Sequence, residues 1–237
     1  MRPDPREKAK INAGRKAAEM VEDGMVLGLG TGSTTHHFMV QLAERIRKEG
    51  IRIAGVPTSL QTEIRARALS IPLTTLDDCP CPDLAVDGAD QIDPGFRLVK
   101  GRGAALTREK VVAAASAGII IIAGEEKLVE RLSGTVPVEV IPFAVTPVMR
   151  ALERLGGTPS IREGKEKDGP VITDNGNYIV DCAFPEIPDP PGLEEEITAL
   201  PGVLECGLFC RYAKKTRVLA GRADGCRVVK KRPVQEI

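Results

Sequence analysis

The sequence carries no net charge, because 33 lysine and arginine residues balance 33 aspartate and glutamate residues. Binding along a phosphate backbone needs a clustered excess of basic residues. The balance therefore argues against nucleic acid as a partner, and the short basic cluster at residues 230–232 is typical of a solvated tail.

Long apolar runs are also missing. The longest, residues 117–123, is far shorter than the roughly 20 residues that span a bilayer, and its β-branched residues beside a glycine predict a buried strand. The opening of the chain carries charges that no apolar segment follows, so we predict neither a signal peptide nor a membrane partner. The expected compartment is the cytoplasm.

Metal ligands are scarce: the chain has two histidines, at positions 36 and 37, and six cysteines without a Cys-x-x-Cys pair. Consecutive residues on a helix diverge by about 100°, so we do not expect His36 and His37 to face one metal ion. We predict no metal site and no cofactor. The cysteines are interpreted as small buried thiols in a reducing compartment.

The chain has 237 residues, of which 42% are hydrophobic, and this is enough for one large domain or two modest ones. Apolar and helical segments alternate in the first half. We predict strands at 25–30, 51–56, 83–87 and 119–123, and helices at 33–48, 61–69 and 107–117. Such alternation is typical of βαβ units, whose helices cover both faces of a parallel sheet.

The pattern changes near Ser133. The predicted elements beyond it are a strand at 137–143, a helix at 145–155, a short strand at 160–162, a hairpin at 171–180 that turns at Asn175–Gly176 like a type I′ turn, a helix at 193–200 and a strand at 203–209. The order β-α-β-β-α-β predicts a ferredoxin-like α+β unit. Strands at 217–220 and 226–229 could return to the first sheet. We therefore expect a larger α/β domain at 1–134 and 208–237 and a smaller domain at 135–207.

A glycine-rich segment, Gly28–Thr35, lies between a predicted strand and a predicted helix. Glycines let backbone amides approach an anion, and the helix start adds unpaired N–H groups. The hydroxyls of Thr31, Ser33 and Thr34 add donors, so the segment is predicted to bind phosphate; a glycine turn needed only for packing is the alternative. Dinucleotide binding is disfavoured for two reasons. Ser33 stands where the Gly-x-Gly-x-x-Gly motif of dinucleotide-binding proteins has its third glycine, and no acidic residue ends the second strand to bind a ribose hydroxyl.

Two aspartates, Asp87 and Asp90, directly follow the third predicted strand. Ligands of open α/β sheets bind beyond the carboxyl ends of strands, and neighbouring carboxylates can hold sugar hydroxyls or move protons. The alternative is that the aspartates simply favour turns, as Asp93–Gly95 does.

The segment Lys100–Lys110 places a lysine before a glycine loop and a glutamate beyond it. We expect Thr107 to cap the next helix and Glu109 to lie in its first turn, where the helix dipole favours the ionised form that a general base needs. Lys127 follows the fourth strand at the same sheet edge. Purely structural or solvated positions are common for such residues. As a set, however, Glu109 and Lys100 provide the base and the positive charge for proton abstraction beside a carbonyl.

Three of these segments, Gly30–Thr34, Asp87–Asp90 and Lys100–Lys110, resemble ribose-5-phosphate isomerase, type A. Stretches at 137–142, 171–177, 201–203 and 207–209 are similar to the same family. The resemblance implies a Rossmann-like domain with a smaller α+β domain, assembled as a homodimer or homotetramer. It also implies an enzyme that interconverts D-ribose 5-phosphate and D-ribulose 5-phosphate through an enediolate, with this sugar phosphate as its small-molecule partner.

The resemblance further implies residue roles. Glu109 would carry a proton between C1 and C2, and Asp87 would assist ring opening and hydroxyl proton transfer. Asp90 would position the sugar, and Lys100 would stabilise the oxyanion. The residues implied to bind substrate are Thr31, Gly32, Ser33, Thr34, Gly88, Ala89, Gly101, Arg102, Gly103 and Lys127.

Two positions depart from the family pattern: Gln91 replaces a glutamate, and Arg102 replaces the middle glycine of Lys-Gly-Gly-Gly. Because arginine resists some backbone angles that glycine permits, we expect a negative φ at Arg102 and a structural or peripheral role for its side chain. Two other functional classes are the alternatives. A sugar-phosphate-sensing regulator would need an attached DNA-binding module, for which no room is expected, and a coenzyme A transferase would need a carboxylate nucleophile.

Overall fold

A computed structural model describes residues 4–166 and 168–233. The strands are β1 (Val26–Leu29), β2 (Ala54–Pro57), β3 (Leu84–Asp87), β4 (Gln91–Ile92), β5 (Leu98–Val99), β6 (Gly118–Gly124), β7 (Gly134–Val140), β8 (Thr158–Ile161), β9 (Tyr178–Phe184), β10 (Val203–Cys206), β11 (Leu208–Phe209), β12 (Thr216–Arg222) and β13 (Gly225–Val228). The helices are α1 (Pro5–Ala18), α2 (Ser33–Glu49), α3 (Leu60–Ala68), α4 (Leu106–Ala115), α5 (Val145–Arg154) and α6 (Pro190–Thr198).

The predicted parallel sheet is present and has six strands in the order β13-β12-β6-β3-β1-β2. Neighbouring strands are parallel except for β12 and β13, which are antiparallel. β1, β3 and β6 are almost wholly buried, which explains why their sequences are continuous apolar runs rather than alternating ones. The two C-terminal strands return to this sheet, so both the α/β class and that expectation are confirmed.

Helix α1 was not among the predicted elements. It has clear end signals, since Asp4 caps it by accepting a hydrogen bond from the N–H of Arg6 and Pro5 occupies the first turn. Its buried face consists of small residues, however: Ala9, Ala13, Gly14, Ala17 and Ala18. A stripe of alanines gives little hydrophobic contrast with the rest of the helix, so periodicity alone does not reveal it.

The second sheet confirms the ferredoxin-like order. β7, α5, β8, β9, α6 and β10 follow one another along the chain, and the strands form an antiparallel sheet in the order β10-β7-β9-β8. Helix α5 contributes Val148 and Leu152 to its core, and α6 contributes Ile197.

The predicted hairpin at 171–180 is only partly correct. The chain does turn here, because the N–H of Gly176 donates to the carbonyl of Thr173 at 2.9 Å and Gly176 has a φ of 80°. Asn175 does not have a positive φ, so the turn is not type I′. Only an isolated bridge links Ile172 to Tyr178, and β9 instead pairs along its length with β7 and β8.

The described chain divides into two compact units. The first comprises the described residues up to Ala89, Arg108–Leu128 and Lys214–Lys231; the second comprises Asp90–Thr107, Val129–Ala213 and residues 232–233. The predicted boundaries at 134 and 208 do not follow this division. The reason is a small three-stranded sheet in the order β11-β5-β4. β4 and β5 were not predicted, and the single strand predicted at 203–209 divides into β10 of the four-stranded sheet and β11 of this one. Assigning catalysis to the domain at 1–134 and 208–237 stays a prediction.

The cysteines match their interpretation only in the second unit. Cys182, Cys206 and Cys210 are buried there, and burial raises the pKa of the Cys182 thiol to about 12. Cys81, in contrast, is exposed, because it lies in the irregular segment between α3 and β3. No helix in the described part of the chain is long and apolar enough to cross a membrane.

Candidate active site

The carboxyl ends of β1 and β3 mark the point where the strand order of the larger sheet reverses. From β1 the chain crosses to β2 on one side, and it then returns past β1 to β3 on the other. Ligands of open α/β sheets bind at such a switch point, beyond the strand ends. The loops that follow β1 and β3 contain two of the predicted segments, Thr31 to Thr34 and Asp87 to Ala89.

Asp87 and the glycine loop are in direct contact. The buried Asp87 side chain accepts hydrogen bonds through Oδ1 from the backbone N–H of Gly88 at 2.7 Å and of Thr31 at 3.2 Å. A Cβ atom at position 30 would lie 2.1 Å from Asp87 Oδ1, so only glycine lets the loop come this close to the carboxylate. The structure thus brings Thr31 and Asp87 together, and it leaves Gly88 and Ala89 partly exposed.

The side chain of Thr31 is held by a cluster of hydroxyls that the sequence analysis did not include. Its Oγ1 lies 2.9 Å from Thr58 Oγ1, 2.8 Å from Ser59 Oγ and 3.2 Å from Thr62 Oγ1. Thr58 and Ser59 follow β2, which pairs with β1 in register up to Pro57. The position of these polar residues directly after the strand next to β1 is the sequence signal that could have identified them as neighbours of Thr31.

The start of α2 is arranged as an anion-binding site would be. Gly32 is the N-cap residue and supplies no side-chain acceptor to the first amides of the helix. Ser33 is exposed and Thr34 is partly exposed. Arg65 of α3, also outside the predicted set, reaches the carbonyl of Gly32 with Nη1 at 3.4 Å and brings a positive charge to this loop.

Glu109 lies in the first turn of α4, as predicted, and its residue is 5% exposed. The helix packs closely on β1, because a Cβ atom at position 28 would lie 2.4 Å from Cγ1 of Val112. Glu109 and Val112 are three residues apart and share one helix face. Since α4 leads into the amino end of β6, its first turn lies towards the carboxyl edge of the sheet. Glu109 therefore belongs to the same edge as Asp87.

The expected helix cap at Thr107 is wrong. α4 begins at Leu106, so Thr107 lies inside the first turn, and its hydroxyl donates to Oε2 of Glu139 at 2.5 Å.

Lys127 ends a short 3-10 turn directly after β6, beside the strand that carries Asp87, and is partly exposed.

The remaining predicted residues lie in the second unit. Asp90 follows β3 closely in sequence, and its Oδ2 accepts a hydrogen bond from the N–H of Arg102 at 3.2 Å. Lys100 is buried, and its ammonium lies 5.4 Å from the centre of the Phe209 ring. Gln91, one of the departures from the family pattern, exchanges two hydrogen bonds with the backbone of Ser133, at 2.8 Å and 3.0 Å, and so has a structural role.

The loop after Lys100 is held through its backbone. Gly101 has a φ of 101°, and Arg102 is not among the described non-glycine residues with positive φ, which confirms the expectation for it. Arg162 of the segment after β8 donates through Nη1 to the carbonyls of Gly101 at 2.9 Å and Arg102 at 3.0 Å. Asp181 pairs with the other nitrogens of Arg162. The Arg102 side chain is exposed, as is Gly103.

The two histidines lie on α2 with their ring centres 5.9 Å apart and tilted by 50°. His37 Nε2 pairs with Glu7 of α1 at 2.6 Å, whereas burial, followed by the positive charge of Arg65, lowers the pKa of His36. Within the described residues, no group of three or more histidine, cysteine, aspartate or glutamate side chains is arranged to hold a metal ion.

Comparison of the sequence with known proteins gives one consistent family. The model of ribose 5-phosphate isomerase A (phosphoriboisomerase A) matches residues 54–225. The ribose-5-phosphate isomerase A of Methanoregula boonei is 58% identical over 221 residues, which cover 93% of each chain. That of Thermosynechococcus vestitus is 52% identical over 202 residues, covering 84% of this chain and 86% of its own.

Solved structures agree with the sequence relatives. Ribose 5-phosphate isomerase A from Methanocaldococcus jannaschii superposes with a TM-score of 0.90 at 43% identity, covering 95% of this chain and 99% of that one. A D-ribose-5-phosphate isomerase in complex with phospho-erythronic acid superposes with a TM-score of 0.91, also at 43% identity, covering 96% and 99%.

Proposed function

The chain belongs to the ribose 5-phosphate isomerase A family, and we propose that it interconverts D-ribose 5-phosphate and D-ribulose 5-phosphate through an enediolate. The observation that carries the proposal is the match to this family along most of the chain, together with the placement of Asp87 and the glycine loop at the switch point. The related structure that holds phospho-erythronic acid supports a sugar phosphate as the ligand.

The reaction moves one carbon-bound proton and one hydroxyl proton. In the open-chain aldose, a base removes the proton from C2, and the electron pair shifts towards the C1 carbonyl to give an enediolate. The same base returns its proton to C1, and the hydroxyl proton moves from O2 to O1. Such chemistry needs a general base of suitable geometry, which a carboxylate can be, and a positive group near the oxyanion.

We assign the carbon proton transfer to Glu109 and the hydroxyl proton transfer and ring opening to Asp87. Glu109 stands in the first turn of a helix, where the helix dipole favours a carboxylate. Asp87 Oδ1 is occupied by two backbone amides, which fix the orientation of the carboxyl group at the strand end.

We assign Lys100 to the negative charge that develops on the substrate and Asp90 to the hydroxyl groups of the sugar. The Lys100 ammonium would stabilise the enediolate oxyanion, and Asp90 would orient the sugar by accepting hydroxyl hydrogen bonds. The loop amides from Gly32 to Thr34 and the hydroxyls of Ser33 and Thr34, with Lys127, would bind the phosphate. Thr31 would hold the loop in place, because its N–H donates to Asp87 and its hydroxyl donates to Ser59. Gly88, Ala89, Gly101 and Gly103 would let backbone groups approach the substrate.

The proposal is tested by comparing ribose 5-phosphate with ribose on the purified protein. Loss of two charge-assisted hydrogen bonds of about 1.5 kcal/mol each predicts a kcat/KM for ribose that is lower by about 100-fold or more. Steady-state assays of ketose formation measure both values. Equal kcat/KM values would contradict the phosphate-binding role of Gly32 to Thr34, and the absence of turnover on ribose 5-phosphate would contradict the proposed reaction itself.

Arg102→Gly is expected to leave kcat within about tenfold of the wild type, or about 1.4 kcal/mol of barrier. Arg102 contacts Asp90 and Arg162 through its backbone N–H and carbonyl, which glycine retains, while its side chain is exposed. Steady-state kinetics on this variant checks the expectation. A fall in kcat of about 100-fold or more, as expected when a general base is lost, would make Arg102 a catalytic residue.

We also propose, from the family resemblance, that the protein acts in the cytoplasm as a homodimer or homotetramer. Size-exclusion chromatography with light scattering measures the assembly directly.

A further inference from the structure

A buried carboxylate on β7 accepts hydrogen bonds from two other parts of the chain. Glu139 is 0% exposed. Its Oε2 accepts from the hydroxyl of Thr107 at 2.5 Å. Its Oε1 accepts from the hydroxyl of Thr173 at 2.7 Å and from the amides of Asn175 and Asn177, each at 3.0 Å. We call these five residues the Glu139 cluster.

The donors of the cluster are well matched to a carboxylate at its centre. Threonine hydroxyls can donate, and asparagine Nδ2 groups only donate, so all four partners supply protons to Glu139. A carboxylate offers an acceptor oxygen on both sides of the cluster, whereas a glutamine would offer its single oxygen to the Asn175 and Asn177 amides and leave its NH₂ group to Thr107. A buried acceptor that loses its donor, or a buried donor that loses its acceptor, lowers the stability of the folded protein. Glu139 therefore suits this position through its two acceptor oxygens as well as its size.

The cluster also joins the stretches that the catalytic assignments leave unexplained. Residues 137–142 and 171–177 were singled out by the family resemblance and contain none of the proposed catalytic groups. Glu139 comes from the first, and Thr173, Asn175 and Asn177 come from the second. The remaining donor, Thr107, belongs to the Lys100–Lys110 segment.

Thr107 is the member of the cluster that lies on α4. It occupies the first turn of this helix, and Glu109 follows two residues later in the same helix. Within a helix each residue rises 1.5 Å and turns by a fixed angle, so a shift of the backbone at Thr107 is passed on to Glu109. The first turn is also where a helix frays unless side chains hold it.

We propose that Glu139 is a positioning residue for the isomerase reaction: through the hydroxyl of Thr107 it fixes the first turn of α4 and thereby the direction in which Glu109 presents its carboxylate. Glu139 itself touches no substrate in this assignment. The proposal rests on the proposed function and on the role of Glu109 in it. A base displaced by a fraction of an ångström from the C2 proton loses rate without losing substrate binding.

Thr107→Val is the most direct test, because valine keeps the shape of threonine and removes the hydroxyl. We expect kcat to fall by about 10- to 100-fold with KM nearly unchanged. Thr107→Ser, which restores a hydroxyl, should return most of the lost kcat. Both values are measured with ribose 5-phosphate on protein whose folded fraction has been determined by circular dichroism.

Thr173→Val is the matched control. It removes a hydroxyl from the same carboxylate, but Asn175 and Asn177 still donate to that oxygen, and Thr173 is not part of α4. Thr173 Oγ1 also accepts from the backbone N–H of Asn175 and Asn177, so its loss should lower the melting temperature at least as much as Thr107→Val does. We nevertheless expect kcat of Thr173→Val close to that of the wild type.

Glu139→Gln and the double variant Thr107→Val/Glu139→Gln complete the test. If the two residues act through one hydrogen bond, the double variant should have the kcat of the lower single variant. Equal kcat losses in Thr107→Val and Thr173→Val, or an unchanged kcat in Thr107→Val, would overturn the positioning role. If the wild type is active and either of these results is found, only the positioning role is contradicted and the proposed isomerase function is retained. If the wild type is inactive, both the function and the positioning role are contradicted.

Discussion

Glu109→Gln is expected to lower kcat for ribose 5-phosphate by about 10²- to 10⁴-fold, the range typical of a lost general base. Glutamine has the shape of glutamate but cannot take up the C2 proton. Glu109 is 5% exposed and lies in the first turn of α4, so the substitution removes a carboxylate that the helix start favours and changes little else in packing. Steady-state kinetics gives kcat, and circular dichroism checks the fold.

Glu153→Gln is a suitable control for this variant. Glu153 is an exposed glutamate on α5, so removing its charge tests whether loss of any helix carboxylate affects turnover. We expect its kcat to match the wild type. If Glu109→Gln instead retained most of its turnover, the base would have to be another carboxylate, and Asp87 would be the strongest candidate.

Asp87→Asn is expected to lower kcat by about 10²- to 10³-fold, because an amide cannot exchange a proton with the sugar hydroxyls. Asparagine keeps one side-chain oxygen, which can still accept from the N–H groups of Thr31 and Gly88. The glycine loop should therefore keep its conformation. A kcat loss without a matching loss of thermal stability would separate the chemical role of Asp87 from its structural one.

The same strand offers the control for Asp87. Asp83 stands just before β3, at the opposite end, and its Oδ2 likewise accepts a backbone hydrogen bond, from Val26 at 2.8 Å. Asp83→Asn makes the same chemical change in the same strand, away from the carboxyl edge. We expect wild-type turnover from it. Equal kcat values for the two variants would remove Asp87 from the reaction.

The local elements near the site were predictable because their signals are short-range. The strands β1, β3 and β6 are buried on both faces, so they appear in the sequence as continuous apolar runs. The loop residues that follow β1 and β3 could then be assigned to one edge of the sheet, since the carboxyl ends of parallel strands point the same way. The observed contact between Thr31 and Asp87 agrees with that reasoning.

Other features were not predictable because they depend on residues far apart in the chain. The pairing of β5 with β11 brings Leu98 to Phe209. β5 is too short to carry a periodic pattern, and nothing local separates β11 from the rest of the strand predicted at 203–209. Thr58 and Ser59 gain their contact with Thr31 only because β2 pairs with β1. In each case a residue of ordinary local character gains its position from a distant partner.

By itself, the sequence determined the α/β class, the ferredoxin-like order and the segments that contain Asp87, Lys100 and Glu109. These features were predictable because periodicity, turn residues and motif spacing each depend on residues that are close together in the chain. Only the tertiary structure decided that Thr107 binds Glu139 instead of capping α4, with 32 positions separating the two residues. A buried carboxylate takes whichever donors the fold brings within hydrogen-bond distance, and that choice is made by the packing of whole elements.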